Sequence, residues 1–343
     1  MVRKTVLGLM LALGLALPVM AQDAPPAEIE NAIVSGLNFP RGIAYSEDGT
    51  LYIAEAGAGG EATIIEIEGM AINGGVTSQV TTIAPDGTQG VAVGSLTSAF
   101  VPMEGAGLGL QRAIPAGDSL WLVLSDHQNL TVFSDAIVEI DTATLRVKNY
   151  IELFAYEAAN NPDGTEEIYS NPSDIAWGED GTLFIIDTGA NALYSWTEAD
   201  GLQLVHAWTD LSVPVAIEMG VNGDIYVGFL GEGIAPGAAK VEHWAADGSE
   251  LIETFDGLTA VTDILVTEDD TIYAVQLAQL GEQGPVPNSG SVVTVSADGI
   301  TPVAEGLSNP FGIAQNADGE LVVSVNSAFA APGSGAVVTI AAE

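Results

Sequence analysis

Short apolar runs alternate with turn residues along almost the whole chain. Ile43-Ala44-Tyr45, a turn at Asp48-Gly49 and then Leu51-Tyr52-Ile53 predict an antiparallel hairpin. The pattern returns as Ile175-Ala176, Asp180-Gly181 and Leu183-Phe184-Ile185, and again as Ile313-Ala314, Asp318-Gly319 and Leu321-Val322-Val323. A Pro-containing phrase leads into each copy: Asn38-Phe39-Pro40-Arg41-Gly42, Asn171-Pro172-Ser173-Asp174 and Asn309-Pro310-Phe311-Gly312. Aligning the apolar residue after each turn gives Leu51, Leu120, Leu183, Ile225, Ile272 and Leu321, spaced by 69, 63, 42, 47 and 49 residues. A fixed internal period is the mark of a repeat architecture. In the first unit, Ala62 to Glu66 supplies a third strand and Val80 to Ile83 a fourth. Four short antiparallel strands in each of six units predict an all-β fold, a six-bladed β-propeller.

The chain ends bear on closure. The last unit holds strands near Phe311 to Ala314, Leu321 to Val325 and Ala336 to Ile340, and then stops. Its outer strand is expected from Ile29 to Val34, a clasp that covers two edges. Gly- and Pro-rich stretches at Gly281 to Gly290 and Ala330 to Gly335 fall inside units, so residues 31–343 form one domain.

The N-terminal pattern differs. Arg3 and Lys4 precede an apolar run from Val6 to Leu17, and Val19-Met20-Ala21 resembles a cleavage site, so residues 1–21 are expected to be a signal peptide. Residues 22–30 form an acidic, Pro-containing spacer. The expected location is extracytoplasmic, secreted or periplasmic, with no membrane insertion after cleavage. Cys is absent, so no disulfide staples the domain. The chain carries 7 Lys and Arg against 46 Asp and Glu, a formal net charge of −39. Beyond residue 21 the basic residues are Arg41, Arg112, Arg146, Lys148 and Lys240. Such a surface repels nucleic acid and anionic membrane faces.

The loop phrases carry a resemblance. Pro40-Arg41-Gly42 with Ala54-Glu55-Ala56-Gly57-Ala58-Gly59-Gly60, Asp187-Thr188-Gly189-Ala190-Asn191, Gly228-Phe229-Leu230 leading to Pro236-Gly237-Ala238-Ala239, and Thr262-Asp263-Ile264 resemble the ScyD/ScyE family. That family is named from the gene cluster for the pigment scytonemin. The resemblance spans about Asn31 to Ile340 and implies an exported six-bladed propeller without an established reaction. The second unit departs from it: Leu110-Gln111-Arg112 stands where the family shows a Pro-His-Asp phrase.

The lead-in phrase places one residue per unit beside the axis. Counting back from the turns gives Arg41, Leu110, Ser173, Val215, Thr262 and Phe311, followed by Gly42, Gln111, Asp174, Ala216, Asp263 and Gly312. A hairpin two residues shorter in the second unit brings Arg112 into the first set instead of Leu110. Six-bladed hydrolases resembling gluconolactonase and regucalcin place metal-binding Asn and Asp just after the Pro of this phrase. Here those positions lack carboxylates, and Arg41 is a poor neighbour for a hard cation. Asp174 and Asp263 are the weak catalytic candidates, as an acid–base pair or, with a third oxygen donor, as ligands of Ca²⁺. Their alternative role is to accept backbone N–H groups or to pair with Arg41. Arg41 suits a ligand carboxylate or phosphate, or else Asp174, Asp263 or Glu55 within the fold. Glu55, Arg112, Asp187 and Asn191 complete the candidate binding rim.

Nucleophilic chemistry finds no motif. Neither Cys nor a Gly-x-Ser-x-Gly elbow is present, and a triad would need His127, because His206 and His243 flank Trp208 and Trp244 in strands. Three functions follow in order: a non-catalytic binding or scaffold module, a lactonase-like hydrolase or isomerase, and a quinone-dependent sugar dehydrogenase. No cofactor is assigned, and Ca²⁺ is the one cation considered. The expected partner is a small molecule, glycan or envelope protein, and the protein is expected to be a monomer.

Overall fold

The Asp-Gly turns close the expected hairpins. Asp48 Oδ1 accepts the Thr50 N–H at 3.0 Å and Asp180 Oδ1 accepts that of Thr182 at 2.9 Å, while Gly49 and Gly181 take φ of 83° and 84°. A residue without a Cβ adopts that φ at no steric cost. These carboxylates are therefore consumed in fixing turns.

The computed structural model describes residues 29–67, 70–102, 105–125, 134–166, 168–210, 212–282 and 284–340. The signal peptide and nearly all of the spacer expected from the sequence lie outside the described residues, as does His127. Three consecutive four-stranded antiparallel sheets run Pro172–Trp177 to Gly201–Ala207, Pro214–Met219 to Leu251–Leu258, and Val261–Val266 to Gly299–Leu307. A further four-stranded sheet joins the chain ends: Ala32–Leu37 pairs with Gly335–Ile340, which continues to Leu321–Val325 and Ile313–Gln315. The strands from Pro40–Tyr45 to Val147–Glu152 form one nine-stranded sheet, and Leu280–Gly281 pairs with Gly284–Pro285 in a small two-stranded one.

Two strand assignments need correction. The clasp is Ala32–Leu37 rather than Ile29 to Val34, because Val34 and Leu37 are the residues that bury against Ile43, Ala314 and Val337. In the first unit the third strand is Met70–Ile83 and the fourth is Gln89–Val101. Ala62–Ile67 instead folds back on the far half of Met70–Ile83. Glycine permits this crossing: a Cβ on Gly75 would lie 2.2 Å from the Gly59 carbonyl oxygen. The far end of Gln89–Val101 then pairs with the start of Ala106–Ala116, which welds the first two units into the nine-stranded sheet.

The apolar core lies between sheet faces. Trp121, Val123 and Ile137 pack on Ile175, Ile185 and Tyr194, and Trp121 meets Trp177 and Trp196 edge-on at 5.6 and 6.0 Å. Ile186 and Leu193 pack on Ile217 and Val227, and Val241 on Ile264 and Val293. Val275 and Val292 pack on Val323 and Val338, whose sheet meets Ile43 and Ile53 through Val322 and Val337. Alternation along each strand gives both faces an apolar set. One α-helix, Phe154–Asn160, sits between Val147–Glu152 and Pro172–Trp177. Among the described residues no helix is long and apolar enough to cross a membrane.

The clasp supplies a stability test. Leu37 is fully buried, so Leu37→Ala should cost about 2–5 kcal/mol through lost burial and a residual cavity. Calorimetric melting measures this, and an unchanged melting temperature would mean that the clasp does not hold the two ends together.

Candidate functional site

Four of the inner strands begin with a bulge that sets which side chains face the axis. The bulge lies between Pro172 and Asp174, between Pro214 and Ala216, between Val261 and Asp263, and between Leu110 and Arg112. Gln111 therefore aligns with Arg41, Ser173, Val215 and Thr262, and Arg112 aligns with Gly42, Asp174, Ala216 and Asp263. This corrects the second unit, where sequence counting put Leu110 or Arg112 in the first set and Gln111 in the second. The cause is its tighter hairpin: four residues separate the pair Pro115 and Leu120, against five between Trp177 and Leu183.

That single-residue shift brings Arg112 onto both candidate carboxylates. Its Nη1 donates to Asp263 Oδ2 at 2.7 Å, and its Nε lies 3.2 Å from Asp174 Oδ1 in an ion-pair contact. Both Asp residues are 2% exposed and Arg112 is 8% exposed. Each carboxylate also bridges two sheets. Asp174 accepts the N–H of Ile175 at 2.9 Å and of Ile217, in the next sheet, at 3.1 Å. Asp263 accepts Ile264 at 3.0 Å and Ile313, again in the next sheet, at 3.0 Å. Burial pushes both carboxyls above their ordinary range, with Arg112 pulling the other way. Burial also works against the guanidinium, but Asp174, Asp263 and Glu218 outweigh it and hold Arg112 well above its usual value.

Glu218 was missed in the sequence. It lies two residues beyond Ala216 on the same strand, hence on the same face, and this parity was the available signal. Burial first, and then Asp174 and Asp263 against Arg112, push its carboxyl up to about 8.

The other rim candidates are mostly committed inside the fold. Arg41 is buried, donates to the Gly107 carbonyl at 3.1 Å and stacks its guanidinium 4.5 Å from the centre of the Phe311 ring. The expected carboxylates Asp174 and Asp263 pair with Arg112. Glu55 accepts from the Asn38 N–H at 2.6 Å, Gln79 Nε2 at 2.8 Å and Thr81 Oγ1 at 2.5 Å. Asp187 accepts from Ser170 Oγ and from the N–H groups of Asn171, Gly189 and Ala190. Asn191 is half-buried and donates to Asp163 at 3.0 Å. His206 packs on Trp208 and Trp244, and His243 stacks on Tyr226.

Little space remains at the axis. The cavity bounded by Gln111, Arg112, Ser173, Asp174, Asp263 and Phe311 measures about 10 Å³, room for roughly one water. A wider, open depression of about 410 Å³ lies on outer strands, lined by Thr182, Ser195, Thr197, Asp200, Gly201 and Gln203, away from every charged pair described above. Among the described residues no group of three His, Cys, Asp or Glu side chains is arranged to hold a metal ion.

Two predictions follow from the buried charges. Arg112→Met leaves two carboxylates buried without their cation and should destabilise the protein by about 3–5 kcal/mol in denaturant titration. A smaller loss would show that the carboxylates are solvated. Glu218 has a folded-state value near 8 against an ordinary 4.5, so the native state binds the extra proton between those limits. Stability therefore falls as pH rises from about 4.5 to 8. The melting temperature should drop across that interval, and Glu218→Gln should flatten the drop; an equal slope in the variant would assign it elsewhere.

Comparisons with known proteins reach the fold. No protein-family model matches the chain, and no curated protein matches it. Among solved structures it is similar to a gluconolactonase from Xanthomonas campestris, with a TM-score of 0.58 at 11% identity over 90% of this chain and 88% of that one. It is also similar to a virginiamycin B lyase from Staphylococcus aureus, with a TM-score of 0.51 at 14% identity over 91% and 87%. A third is the hydrazine synthase of Kuenenia stuttgartiensis, with a TM-score of 0.53 at 16% identity over 86% and 76%. These neighbours are propeller-type proteins, and the chain shares the β-propeller type of fold with them.

Proposed function

We propose that the chain is an exported, six-bladed β-propeller of the ScyD/ScyE type that acts as a binding or scaffold module through its top-face loops. The observation that carries this reading is the state of the axial carboxylates. Asp174 and Asp263 are each held by two backbone N–H groups and by Arg112, beside a space of about 10 Å³. Each carboxylate already makes three contacts, which leaves it little capacity for a substrate, and a hard cation would compete with a guanidinium for them. Six blades in a closed ring are supported by the six aligned lead-in phrases and by the clasp between the chain ends. The signal-like N-terminus supports export, and the excess of carboxylates favours a neutral or cationic partner over a polyanion. The partner is a small molecule, a glycan or an envelope protein, bound by a monomer.

A lactonase-like hydrolase or isomerase is the second reading. What favours it is that burial raises both axial carboxyls toward the range useful for proton transfer.

Assay of a lactone panel separates the two. The wild type should hydrolyse none of its members above buffer, while calorimetric titration against soluble glycans should give binding without turnover. Hydrolysis that disappears in Asp174→Asn, at an unchanged fold by circular dichroism, would replace the binding reading with the enzymatic one.

A further inference from the structure

A second cluster of acids lies away from the axial carboxylates, where the helix Phe154–Asn160 meets the sheet that runs Pro172–Trp177 to Gly201–Ala207. Leu153 is fully buried at the helix start, and Tyr156 packs edge-on against Tyr194 with ring centres 5.1 Å apart. This docking carries Glu157 inward: the residue is 0% exposed, and neither carboxylate oxygen has a hydrogen-bond partner. One turn on, Asn161 gives its Nδ2 to the Thr165 carbonyl at 2.9 Å and leaves its Oδ1 buried without a partner. The Tyr194 hydroxyl is likewise buried and unpartnered. Four unpartnered oxygens thus belong to three side chains: Glu157 and Asn161 stand one helical turn apart, and the Glu157 charge acts on Tyr194.

The surroundings deepen the imbalance. Asp163 and Asp187 both act on Glu157 and on Tyr194 through their negative charge. Yet the oxygens of both are engaged elsewhere: Asp163 accepts from the Thr165 N–H and from Asn191, each at 3.0 Å, and Asp187 accepts the four donors described above. A buried carboxylate without donors is the most costly arrangement a fold can hold, and here two like charges stand beside it. No Lys or Arg forms an ion pair with any of the three among the described residues.

We infer that Glu157, Asn161 and Tyr194 bind a hard cation, with Ca²⁺ as the natural occupant. A carboxylate, an amide oxygen and a phenol oxygen are an oxygen-only donor set, which suits Ca²⁺ and excludes the softer metals that favour nitrogen and sulfur. Asp163 and Asp187 add attraction without giving up their structural bonds. The single charged ligand places affinity in the weak range of extracellular Ca²⁺ sites, about 10⁻⁴–10⁻³ M. This site is independent of the reading of the axis.

Terbium is a suitable probe, because tyrosine excitation sensitises its emission and two tyrosines stand at the site. Terbium added to the metal-stripped protein should give sensitised emission that Ca²⁺ displaces and Mg²⁺ displaces poorly. Millimolar Ca²⁺ should also raise the melting temperature by about 2–4 °C over EDTA. Glu157→Gln keeps the shape of a neutral carboxyl and should abolish both responses, while Tyr194→Phe keeps the ring packing and should weaken them. Asp180→Asn, at an exposed turn, should leave both intact. An equal melting temperature in Ca²⁺ and EDTA would assign the site to a proton and overturn the proposal. Full retention of the Ca²⁺ shift in Glu157→Gln would assign the effect to surface carboxylates and overturn it equally.

Discussion

The guanidinium of Arg112, held between two buried carboxylates, is the contact on which the centre of the molecule depends. Asp174 and Asp263 each tie their own sheet to the next through backbone N–H groups, and Arg112 cancels the charge that makes this possible. Its bulk then dictates its neighbours. A Cβ on Gly42 would lie 2.3 Å from Arg112 Cδ; at Gly312 it is the backbone of the neighbouring strand, with the Arg41 carbonyl oxygen at 2.5 Å, that leaves no room. The aligned positions accordingly hold glycine or alanine wherever they do not hold a charge. A buried ion pair of this kind adds little net stability, because desolvation offsets much of the attraction; what it does is forbid alternatives.

A related acceptor role recurs at the ends of the second strands, without a guanidinium. The second strands end on Glu55, Asp187 and Gln276, cross-strand partners of Pro40, Pro172 and Val261. Each accepts a lead-in N–H: Glu55 from Asn38, Asp187 from Asn171 and Gln276 from Thr259 at 2.7 Å. That an amide serves as well as a carboxylate shows that an acceptor is needed at this place rather than a charge. In this acidic chain, many carboxylates are hydrogen-bond acceptors first.

The repeat was legible because turns and lead-in phrases are local. Asp48-Gly49 and Asp180-Gly181 mark hairpins whichever sheets surround them, and the short apolar runs around Ile43, Ile175 and Ile313 read as strands buried on both faces. What escaped was whatever depended on counting across an irregular step. The hairpin after Pro115 is one residue short, so Arg112 moved from a doubtful rim position to the centre of the axial cluster. Of the strand Met70–Ile83 only Val80 to Ile83 was legible, because its glycines break the apolar pattern while serving a close crossing of backbones. Glu157 had no signal at all: a lone acid in a short helix becomes notable only once Leu153 and Tyr194 bury it. Arg41, Glu55 and Asp187 stood out as rare or charged residues near loops, and the fold uses them as internal braces.

The pairing of Ala32–Leu37 with Gly335–Ile340 has a consequence in time. Its partners stand some 300 residues apart in the chain, the longest separation that any sheet here demands. Contacts of high sequence separation form late, since the loop they close must first be brought together. A chain made from its N-terminus keeps its first strand unpaired until its last strand has emerged. Every earlier stage presents open edges to chaperones or other chains, and a product truncated before Gly335 stays in that condition permanently. The strand Gly335–Ile340 thus serves as a check of its own: until it forms, the edge of Ala32–Leu37 stays uncovered.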